Sequence, residues 1–549
     1  MRVAAIASLA LVACSGDPPS GGAGHPLGSS LGSTSQATAA TVTAGSAVGA
    51  GGAAVASNSS GYGASGHGAA SGGGGTPDGS SATDGAAETS NTAATHGTTT
   101  AASASSAGGA PGATGSSAMT TGTGGMPPGE VVEVVDIAEV WSGHPVAFAL
   151  YTRGDRQFVA FYDAERRMTV AARTLGEATW QTRTLPSTLG WDSHNYVTLA
   201  LDETGHVHVA GNMHNVPLIY FRATTPLDVE SLTQVSSMVG SNESNATYPE
   251  FFTGPAGNLI FAYRDGGSGN GNHIFNAYSA ETRAWSRLLD TPLTDGQGQY
   301  NAYPVGPIQG PDGYWHLVWV WRDTPDASTN HDLSYARTVD LVNWEGAAGA
   351  SVDLPITLAT GDIVDAVPAG GGMINNNTKV GFDAQNRPIV AYHKYDSDGN
   401  TQLYNARFED GVWVSHRTSS WDYRWDFGGG GTLVFEIEVE PVVAADDGTL
   451  TQRYYHAEYG GYGAFRLNPD TLEAEAEIEP PLPYPRELDT PESPTPDMVT
   501  RWQEDAGTSP EAGVVYLLRW ETLPSNRDEP RDTIPPPTPL RLYGFATGE

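Results

Sequence analysis

Four segments of the chain repeat one form, in which a turn containing Asp, Asn or Gly is followed by a strand-like run of about seven residues. They are LDETGHVHVAGN (201–212), GPAGNLIFAYRD (254–265), GPDGYWHLVWVWRD (310–323) and FDAQNRPIVAYHKYD (382–396). No stretch of residues 130–549 shows a sustained helical period with capping residues. Each repeat must therefore bury its apolar side chains against other strands. This repetition predicts an all-β fold.

A second element follows three of these repeats, with an aromatic and a basic residue flanking another turn. Its copies are FNAYSAETRAWSR (275–287), LSYARTVDLVNWEG (333–346) and LYNARFEDGVWVSH (403–416). Turn–strand–turn–strand units spaced by roughly 50–70 residues are typical of propeller blades, because each sheet buries its faces only against its neighbours. The length of residues 130–549 then predicts a seven-bladed β-propeller, with a pair of β-sandwiches or a β-helix as the alternative.

The strand-like runs at the two ends of this region are expected to share one blade. They are VVEVVDIAEVWSG (131–143) and GVVYLLRWETL (513–523). Joining the two ends in one sheet would leave no strand edge unpaired.

The chain begins with a short apolar run after Arg2, which ends in Leu11-Val12-Ala13-Cys14. The run is too short to span a bilayer, so it predicts an export signal. Its end resembles the lipobox of bacterial lipoproteins, which implies a signal peptide over residues 1–14 and lipid attachment at Cys14. Cys14 is also the only cysteine, which excludes an internal disulfide. We expect a lipoprotein of the outer membrane or cell surface; the alternative is an ordinary cleaved signal peptide.

Residues 15–129 consist almost entirely of Gly, Ser, Ala and Thr, with no Lys or Arg. So little apolar surface cannot offset the entropy of ordering, which predicts a disordered linker that tethers residues 130–549. Residues 130–549 are then the propeller domain.

The formal net charge is −35, and only two of the 27 basic residues are lysines. This excludes a nucleic-acid partner, which requires a basic surface. It also opposes the approach of an anionic polymer, unless Arg222, Arg264 and Arg322 create a local positive patch. We expect a monomer that contacts the membrane only through the lipid on Cys14.

Residues 194–215 contain four of the fourteen histidines. His208 and His316 each lie three residues after a turn glycine, where another repeat has Ile260, so His208 and its neighbour His206 are expected to pack structurally. A metal site at the His-x-His pair is the alternative. His194 and His214 lie at strand ends, where functional residues concentrate.

Longer motifs resemble those of the BNR-4 repeat family over residues 190–432 and 519–532. They are DSHNY, GNMHN, TYPEFF, FAYRDGGSGNGNH, GQYNAYPVGP, VWVWRDTPDASTNHDLSYAR, AYHKYDSDGNTQLYNARF, YRWDFGGGG and RWETLPSNRDEPRD. That family includes ulvan lyases, seven-bladed propellers that cleave a sulfated algal polysaccharide at its uronic acid. The motifs are also similar to those of propeller lyases that cut rhamnose–glucuronate linkages.

The resemblance implies a site of two histidines, a tyrosine, an arginine and a further tyrosine. By motif, it implies catalytic roles for His194, Tyr248 and Arg264. It implies substrate binding by His214, Tyr303, Asn195, Asn215 and Tyr300, with the choice between Tyr303 and Tyr300 left open. The implied activity is β-elimination on an anionic, uronate-containing polysaccharide, without a required cofactor.

These residue types suit that chemistry. Arg264 can grip a uronate carboxylate and stabilise the charge that grows there when the neighbouring proton leaves. Either Tyr248 or His194 could take that proton and supply one to the leaving oxygen. The sequence does not assign these roles between them.

Other motifs carry weaker signals. GGSGNGN (266–272) precedes another strand-like run, so it predicts a wide turn at the mouth of the site rather than a phosphate loop. GGGG (428–431) and YDSDGN (395–400) also predict turns. A structural calcium or zinc ion is compatible with the sequence but does not follow from it.

Two other functions compete with the lyase. A non-catalytic glycan-binding propeller would use Trp319, Trp321 and Tyr263 as stacking platforms. A sialidase-like hydrolase would need a pair of carboxylates and an intact Asp-box motif, and neither is found in the sequence.

Overall fold

A computed structural model describes residues 8–9, 115–116 and 129–546. β1 (Ser8–Leu9) and β2 (Gly115–Ser116) pair antiparallel. Apart from residues 8–9, 115–116 and 129, the predicted signal peptide and linker, including Cys14, lie outside the described residues. Helix in the described part is limited to three 3-10 turns, Val229–Ser231, Ala327–Thr329 and Arg486–Asp489. None of its helices has the length and apolar character to cross a membrane.

Residues 129–546 form an all-β structure, as the repeats predicted. β3 (Glu130–Val140) and the strands that follow it form five four-stranded sheets and one ten-stranded sheet. The ten-stranded sheet divides into two units, which gives seven antiparallel units in all. Unit 1 contains β4 (Ala149–Arg153), β5 (Arg156–Tyr162), β6 (Arg167–Thr174) and β7 (Gln181–Thr188). Unit 2 contains β8 (Val197–Leu201), β9 (Val207–Gly211), β10 (Tyr220–Ala223) and β11 (Leu232–Gln234).

Units 3 and 4 share one ten-stranded sheet. Unit 3 contains β12 (Ala246–Thr253), β13 (Leu259–Gly267), β14 (Asn270–Ser279) and β15 (Ala284–Arg287). Unit 4 contains β16 (Asn301–Gln309), β17 (Trp315–Arg322), β18 (Asn330–Thr338) and β19 (Trp344–Glu345), extended by β20 (Ser351–Val352) and β21 (Asp362–Asp365). A single parallel pairing, between Gly271 and Asn301, joins the two units.

The last three units follow the same plan. Unit 5 contains β22 (Lys379–Phe382), β23 (Pro388–Tyr395), β24 (Thr401–Glu409) and β25 (Val412–Arg417). Unit 6 contains β26 (Ile437–Ala444), β27 (Leu450–His456), β28 (Gly461–Leu467) and β29 (Ala474–Ile478). Unit 7 contains β30 (Val499–Glu504), β31 (Val514–Thr522) and β32 (Thr538–Ala546), together with β3.

The four sequence repeats supply the second strands of units 2 to 5, namely β9, β13, β17 and β23. Both faces of these strands are covered, and all eight residues of β17, WHLVWVWR, are buried. An aspartate holds the turns before three of these strands, β9, β17 and β23. The carboxylate of Asp202 accepts the amides of Thr204 and His206, that of Asp312 accepts the amide of Tyr314, and that of Asp383 accepts the amides of Gln385 and Arg387. Gly205 follows in the left-handed region (φ 89°), which glycine adopts without strain.

The two ends of the folded region share unit 7, as predicted. β3 pairs with β32, and β32 pairs with β31. The sequence identified β3 and β31 but missed β32, which separates them. β32 follows a Pro-rich stretch, Pro535-Pro536-Pro537, that is typical of a loop.

The candidate site residues lie in or near the connections at one end of the units. In an antiparallel unit, the connection between the second and third strands lies at the same end as the start of the first strand. The segments that enter β4 and β8 therefore lie at the same end as the turns after β5, β9, β13 and β17. We call this the site end.

Candidate active site

Asp192 links the two outer histidines of the sequence cluster. His194 lies in the segment that enters β8, and His214 follows β9. The Asp192 carboxylate holds both rings, with 2.5 Å from Oδ1 to Nδ1 of His194 and 2.6 Å from Oδ2 to Nδ1 of His214. The imidazole centres are 4.4 Å apart. Both rings are therefore oriented by one carboxylate.

The charges of this triad are coupled. Burial opposes ionisation of Asp192, but the adjacent imidazoles outweigh it and hold the pKa of this carboxyl well below its usual range. Burial, together with the nearby His194, lowers the pKa of His214, although Asp192 partly opposes this. His214 is therefore neutral near pH 7.

Tyr248 projects from a bulge near the start of β12. The pairing of β12 with β13 shifts register between Thr247 and Glu250, and Tyr248 has a φ of 56°. Such a backbone is costly for a non-glycine residue and is common at functional sites. The Tyr248 ring centre lies 6.1 Å from that of His194 and 6.3 Å from that of His214.

Arg264 lies on β13 and faces this tyrosine. Its Nε donates to the carbonyl of Gly266 (2.9 Å), and its Nη2 donates to the hydroxyl of Thr247 (3.2 Å). Its Nη1 is buried and has no hydrogen-bond partner among the described residues. No ion pair of the described region involves Arg264. Arg264 is therefore a buried guanidinium whose Nη1 can still donate a hydrogen bond to a ligand.

Tyr303 forms the far wall of the site. Its hydroxyl lies 2.7 Å from the hydroxyl of Ser268, and its ring centre lies 6.3 Å from that of Tyr248. The guanidinium carbons of Arg264 and Arg322 lie 5.8 and 5.5 Å from its ring centre. The ring of Tyr300 instead lies 6.0 Å from that of His331. The geometry thus favours Tyr303 over Tyr300.

The two asparagines border the histidines. The carbonyl of Asn195 accepts the hydroxyl of Tyr162 (2.6 Å), and its buried Oδ1 has no hydrogen-bond partner among the described residues. Asn215 adopts a φ of 56°, and its amide donates to the hydroxyl of Thr247 (2.7 Å). Thr247 therefore bridges Asn215 and Arg264.

Asp192, His194 and His214 could also hold a metal ion, because each offers a ligand atom within 4.8 Å of the others. Two imidazoles and a carboxylate suit zinc. The Nδ1 atoms and the carboxylate oxygens are engaged in the hydrogen bonds just described. Coordination through those atoms would replace these bonds.

The inner histidines occupy a structural slot. Nδ1 of His208 lies 2.8 Å from the hydroxyl of Tyr220, and its Nε2 lies 3.5 Å from Asp202. His316 repeats the arrangement with Tyr335 (2.7 Å) and Asp312 (3.0 Å). His206 is also buried against the Asp202 turn.

Several sequence interpretations are wrong. Trp319, Trp321 and Tyr263 are at most 1% exposed, so they cannot act as stacking platforms. Arg222 donates to the Tyr278 hydroxyl and the Arg283 carbonyl, and only Arg264 and Arg322 converge on Tyr303.

The glycine-rich segment 266–272 also differs from expectation. β13 and β14 extend through most of it, which leaves a tight turn at Ser268–Gly269 rather than a wide one.

The sequence interpretation missed three contributors to the site: Asp192, Ser268 and Asp528. Asp528 lies in the long connection between β31 and β32, and its carboxylate accepts the amides of Ser193 and Thr432. Of these three residues, Asp192 is the one that the sequence alone could have indicated. An Asp two residues before His194 is typical of a turn in which the carboxylate accepts the backbone amide of that histidine. Its second partner, His214, is brought to it only by the fold.

Comparison with known proteins shows which family this chain resembles. Residues 156–421 match the BNR repeat-containing family. An ulvan lyase (long isoform) of Glaciecola sp. (strain KUL10) is 47% identical over 66 residues, which are 12% of this chain and 6% of the relative. An ulvan lyase (short isoform) of Alteromonas sp. (strain LOR) is 35% identical over 80 residues, 14% of this chain and 15% of the relative. The chain thus aligns with only a small part of these relatives.

A solved structure of an ulvan lyase of polysaccharide lyase family PL25 covers 75% of this chain and 95% of its own, with a TM-score of 0.50 at 12% identity. At that identity the likeness shows a shared fold. Together, these matches confirm the resemblance to the BNR-4 family and to ulvan lyases that the motifs predicted.

Proposed function

We propose that residues 129–546 form a seven-bladed β-propeller that acts as a polysaccharide lyase and cleaves a uronate-containing glycan by β-elimination. The seven antiparallel units support the blade count, with β3 and β32 closing the last blade. The observation that carries the activity is the buried guanidinium of Arg264, which has no carboxylate partner in the part of the chain that the structure describes. It lies beside Tyr248 and two oriented imidazoles.

Arg264 binds the uronate carboxylate in this proposal. Removal of the C5 proton moves negative charge onto that carboxylate, and a fixed cation stabilises this charge more in the transition state than in the ground state. Nη1, which has no hydrogen-bond partner among the described residues, would donate a hydrogen bond to a carboxylate oxygen of the substrate. Because the site is buried, little solvent reorganisation would oppose this stabilisation.

Tyr248 takes the C5 proton through its phenolate oxygen. The C5–H electron pair then forms the C4=C5 double bond, and the C4–O bond to the next sugar breaks. The leaving oxygen receives the proton from Tyr248 or from His194. The adjacent guanidinium favours a phenolate, and a neutral imidazole can accept the phenolic proton beforehand. His214, Tyr303, Asn195 and Asn215 position the sugar.

An ulvan-type glycan is the substrate class that the relatives support. The net charge of −35 opposes the approach of such a polymer at long range. Arg264 and Arg322, both buried and both without an ion pair in the described region, supply local positive charge around Tyr303.

We further propose that the protein is a monomeric bacterial lipoprotein, exported by residues 1–14 and anchored through Cys14 at the outer membrane or cell surface. Residues 15–129 would then hold the propeller away from the membrane. Globomycin, which blocks lipoprotein signal cleavage, should cause the precursor to accumulate in an expressing bacterium, whereas Cys14→Ser should abolish labelling by a palmitate analogue.

The activity is tested by the absorbance of the conjugated double bond in the unsaturated uronate product. The protein is incubated with ulvan, its desulfated form and other uronate polysaccharides, with and without EDTA. A rise in absorbance that survives EDTA supports elimination without a metal. New reducing ends without absorbance would indicate hydrolysis, and binding without cleavage would indicate a lectin-like propeller. Either of these two results would overturn the proposal.

A further inference from the structure

Arg166 is held between two tryptophans at the site end of unit 1. Its guanidinium carbon lies 3.9 Å from the ring centre of Trp141 and 4.4 Å from that of Trp191. The two indoles are 5.5 Å apart and nearly perpendicular. Arg166 and Trp191 are half-buried, whereas Trp141 is buried. We call these three residues the Arg166 cluster.

Among residues 129–546, this guanidinium has no acidic partner. In the described region, the Arg166 side chain forms neither an ion pair nor a hydrogen bond. The adjacent Arg167 does the opposite and pairs with both Asp163 and Glu165. In a chain of net charge −35, a rigid arginine without a carboxylate partner is available to a ligand.

The cluster adjoins the proposed catalytic residues directly. Arg166 lies in the turn after β5, at the site end, and its carbonyl accepts the amide of Leu189 (2.9 Å). Leu189 begins the segment that carries Trp191, Asp192 and His194 into β8. The cluster therefore continues the site from unit 2 onto unit 1, on the side of His194 opposite to Tyr248 in the order of the units.

We propose that the Arg166 cluster is a second subsite, which binds an anionic sugar next to the one held by Arg264. This inference rests on the proposed function, because it assigns the same bound glycan to two neighbouring units. A guanidinium presents paired donors that match a carboxylate or a sulfate ester, and the remaining exposed part of the Trp191 ring can pack against a pyranose face. The two indoles fix the guanidinium beforehand, which lowers the entropy cost of binding.

The test compares Arg166→Gln with Arg183→Gln. Arg183 lies on β7 of the same unit, is exposed, and is 3.7 Å from Glu230. The two substitutions change the net charge equally. Arg166→Lys keeps the charge but loses the planar fork. Thermal unfolding first verifies that each variant is folded.

Elimination kinetics and calorimetric binding are measured with ulvan oligosaccharides of defined length, with and without their sulfate esters. Arg166→Gln should raise KM and the dissociation constant roughly tenfold, the effect of one charge-assisted hydrogen bond, with kcat within about twofold. Arg166→Lys should recover part of the loss, and Arg183→Gln should match the wild type. In the binding measurement, the effect should vanish for a uronic acid monosaccharide, which is too short to occupy both subsites.

The sulfate arm distinguishes the two anionic groups. A loss restricted to sulfated oligosaccharides assigns the cluster to a sulfate ester, and an equal loss on both forms assigns it to a carboxylate. If the wild type eliminates but Arg166→Gln binds and reacts normally, the subsite is wrong and the proposed function stands. If the wild type binds without eliminating, the proposed function fails, and calorimetry alone decides the subsite. If the wild type binds none of these glycans, both are overturned.

Discussion

The guanidinium carbon of Arg264 lies 4.9 Å from the ring centre of Tyr248, and no carboxylate of the described region forms an ion pair with this arginine. Burying a cation without an acidic partner destabilises the folded state, unless a bound anionic ligand neutralises its charge. The pair therefore concentrates uncompensated positive charge beside an ionisable phenol.

Arg264→Ala should reduce kcat/KM for elimination by about 10²–10³-fold, because it removes the stabilisation of the developing charge. Arg264→Lys should retain only part of the activity, since an ammonium group cannot offer the same paired donors. The rate of absorbance increase on a uronate polysaccharide measures both. Activity in Arg264→Ala equal to the wild type would contradict the assignment.

Tyr248→Phe should lower kcat by about 10²–10⁴-fold, the usual contribution of a positioned acid–base group, with a smaller change in KM. Tyr300→Phe is the matched control, because it removes a phenolic hydroxyl from a ring that packs against His331 and leaves Tyr248 itself unchanged. Equal losses in the two variants would show that Tyr248 is not the base.

Asp192→Asn should keep the fold but release the two imidazoles, since an amide cannot accept hydrogen bonds through both of its polar atoms. We expect kcat to fall and the pH–rate profile to shift, because the carboxylate that favours imidazolium has been removed. Asp265→Asn, which changes a neighbouring carboxylate outside the triad, is the control. A fall in thermal stability with an unchanged pH profile would reduce Asp192 to a structural role.

His393 makes stability depend on pH. Burial lowers the pKa of this histidine to about 3, so the folded protein keeps it neutral while the unfolded chain protonates it below about 6.5. The folded state therefore binds fewer protons between these values, and its stability falls as the pH falls through this window. His393→Leu should make that slope shallower by about 1.4 kcal/mol per pH unit.

Urea unfolding at pH 7.5, 6 and 5 measures this effect. His416→Leu, a substitution of a histidine paired with Glu409 at 3.5 Å, serves as the comparison. An unchanged slope in His393→Leu would show that this side chain is not kept neutral by the fold.

The sequence predicted the strands that carry unbroken apolar runs between Asp- and Gly-containing turns, such as β17, because both ends of the run are marked locally. It did not predict β32, whose run follows three prolines and whose identity as a strand depends on its partners β3 and β31.

The same distinction applies to the site. Motif resemblance selected residues from units 2, 3 and 4 that the fold brings together. It could not show that the Arg222 guanidinium donates its hydrogen bonds to Tyr278 and Arg283, because these contacts depend on how units 2 and 3 pack together. Nor could it show that Asp192 serves two histidines 20 residues apart in sequence, since one of the two contacts is tertiary.

The pairing of Glu130 with Ala546 places the two ends of the folded region side by side on adjacent strands. A short peptide linker between these ends would leave every strand pairing of β3 and β32 intact. New ends could then be opened at an exposed hairpin turn such as Asp410–Gly411, between β24 and β25, which contributes nothing to the site. An opening at this turn would leave every strand and connection that carries a site residue in place, so the protein is a candidate for circular permutation there.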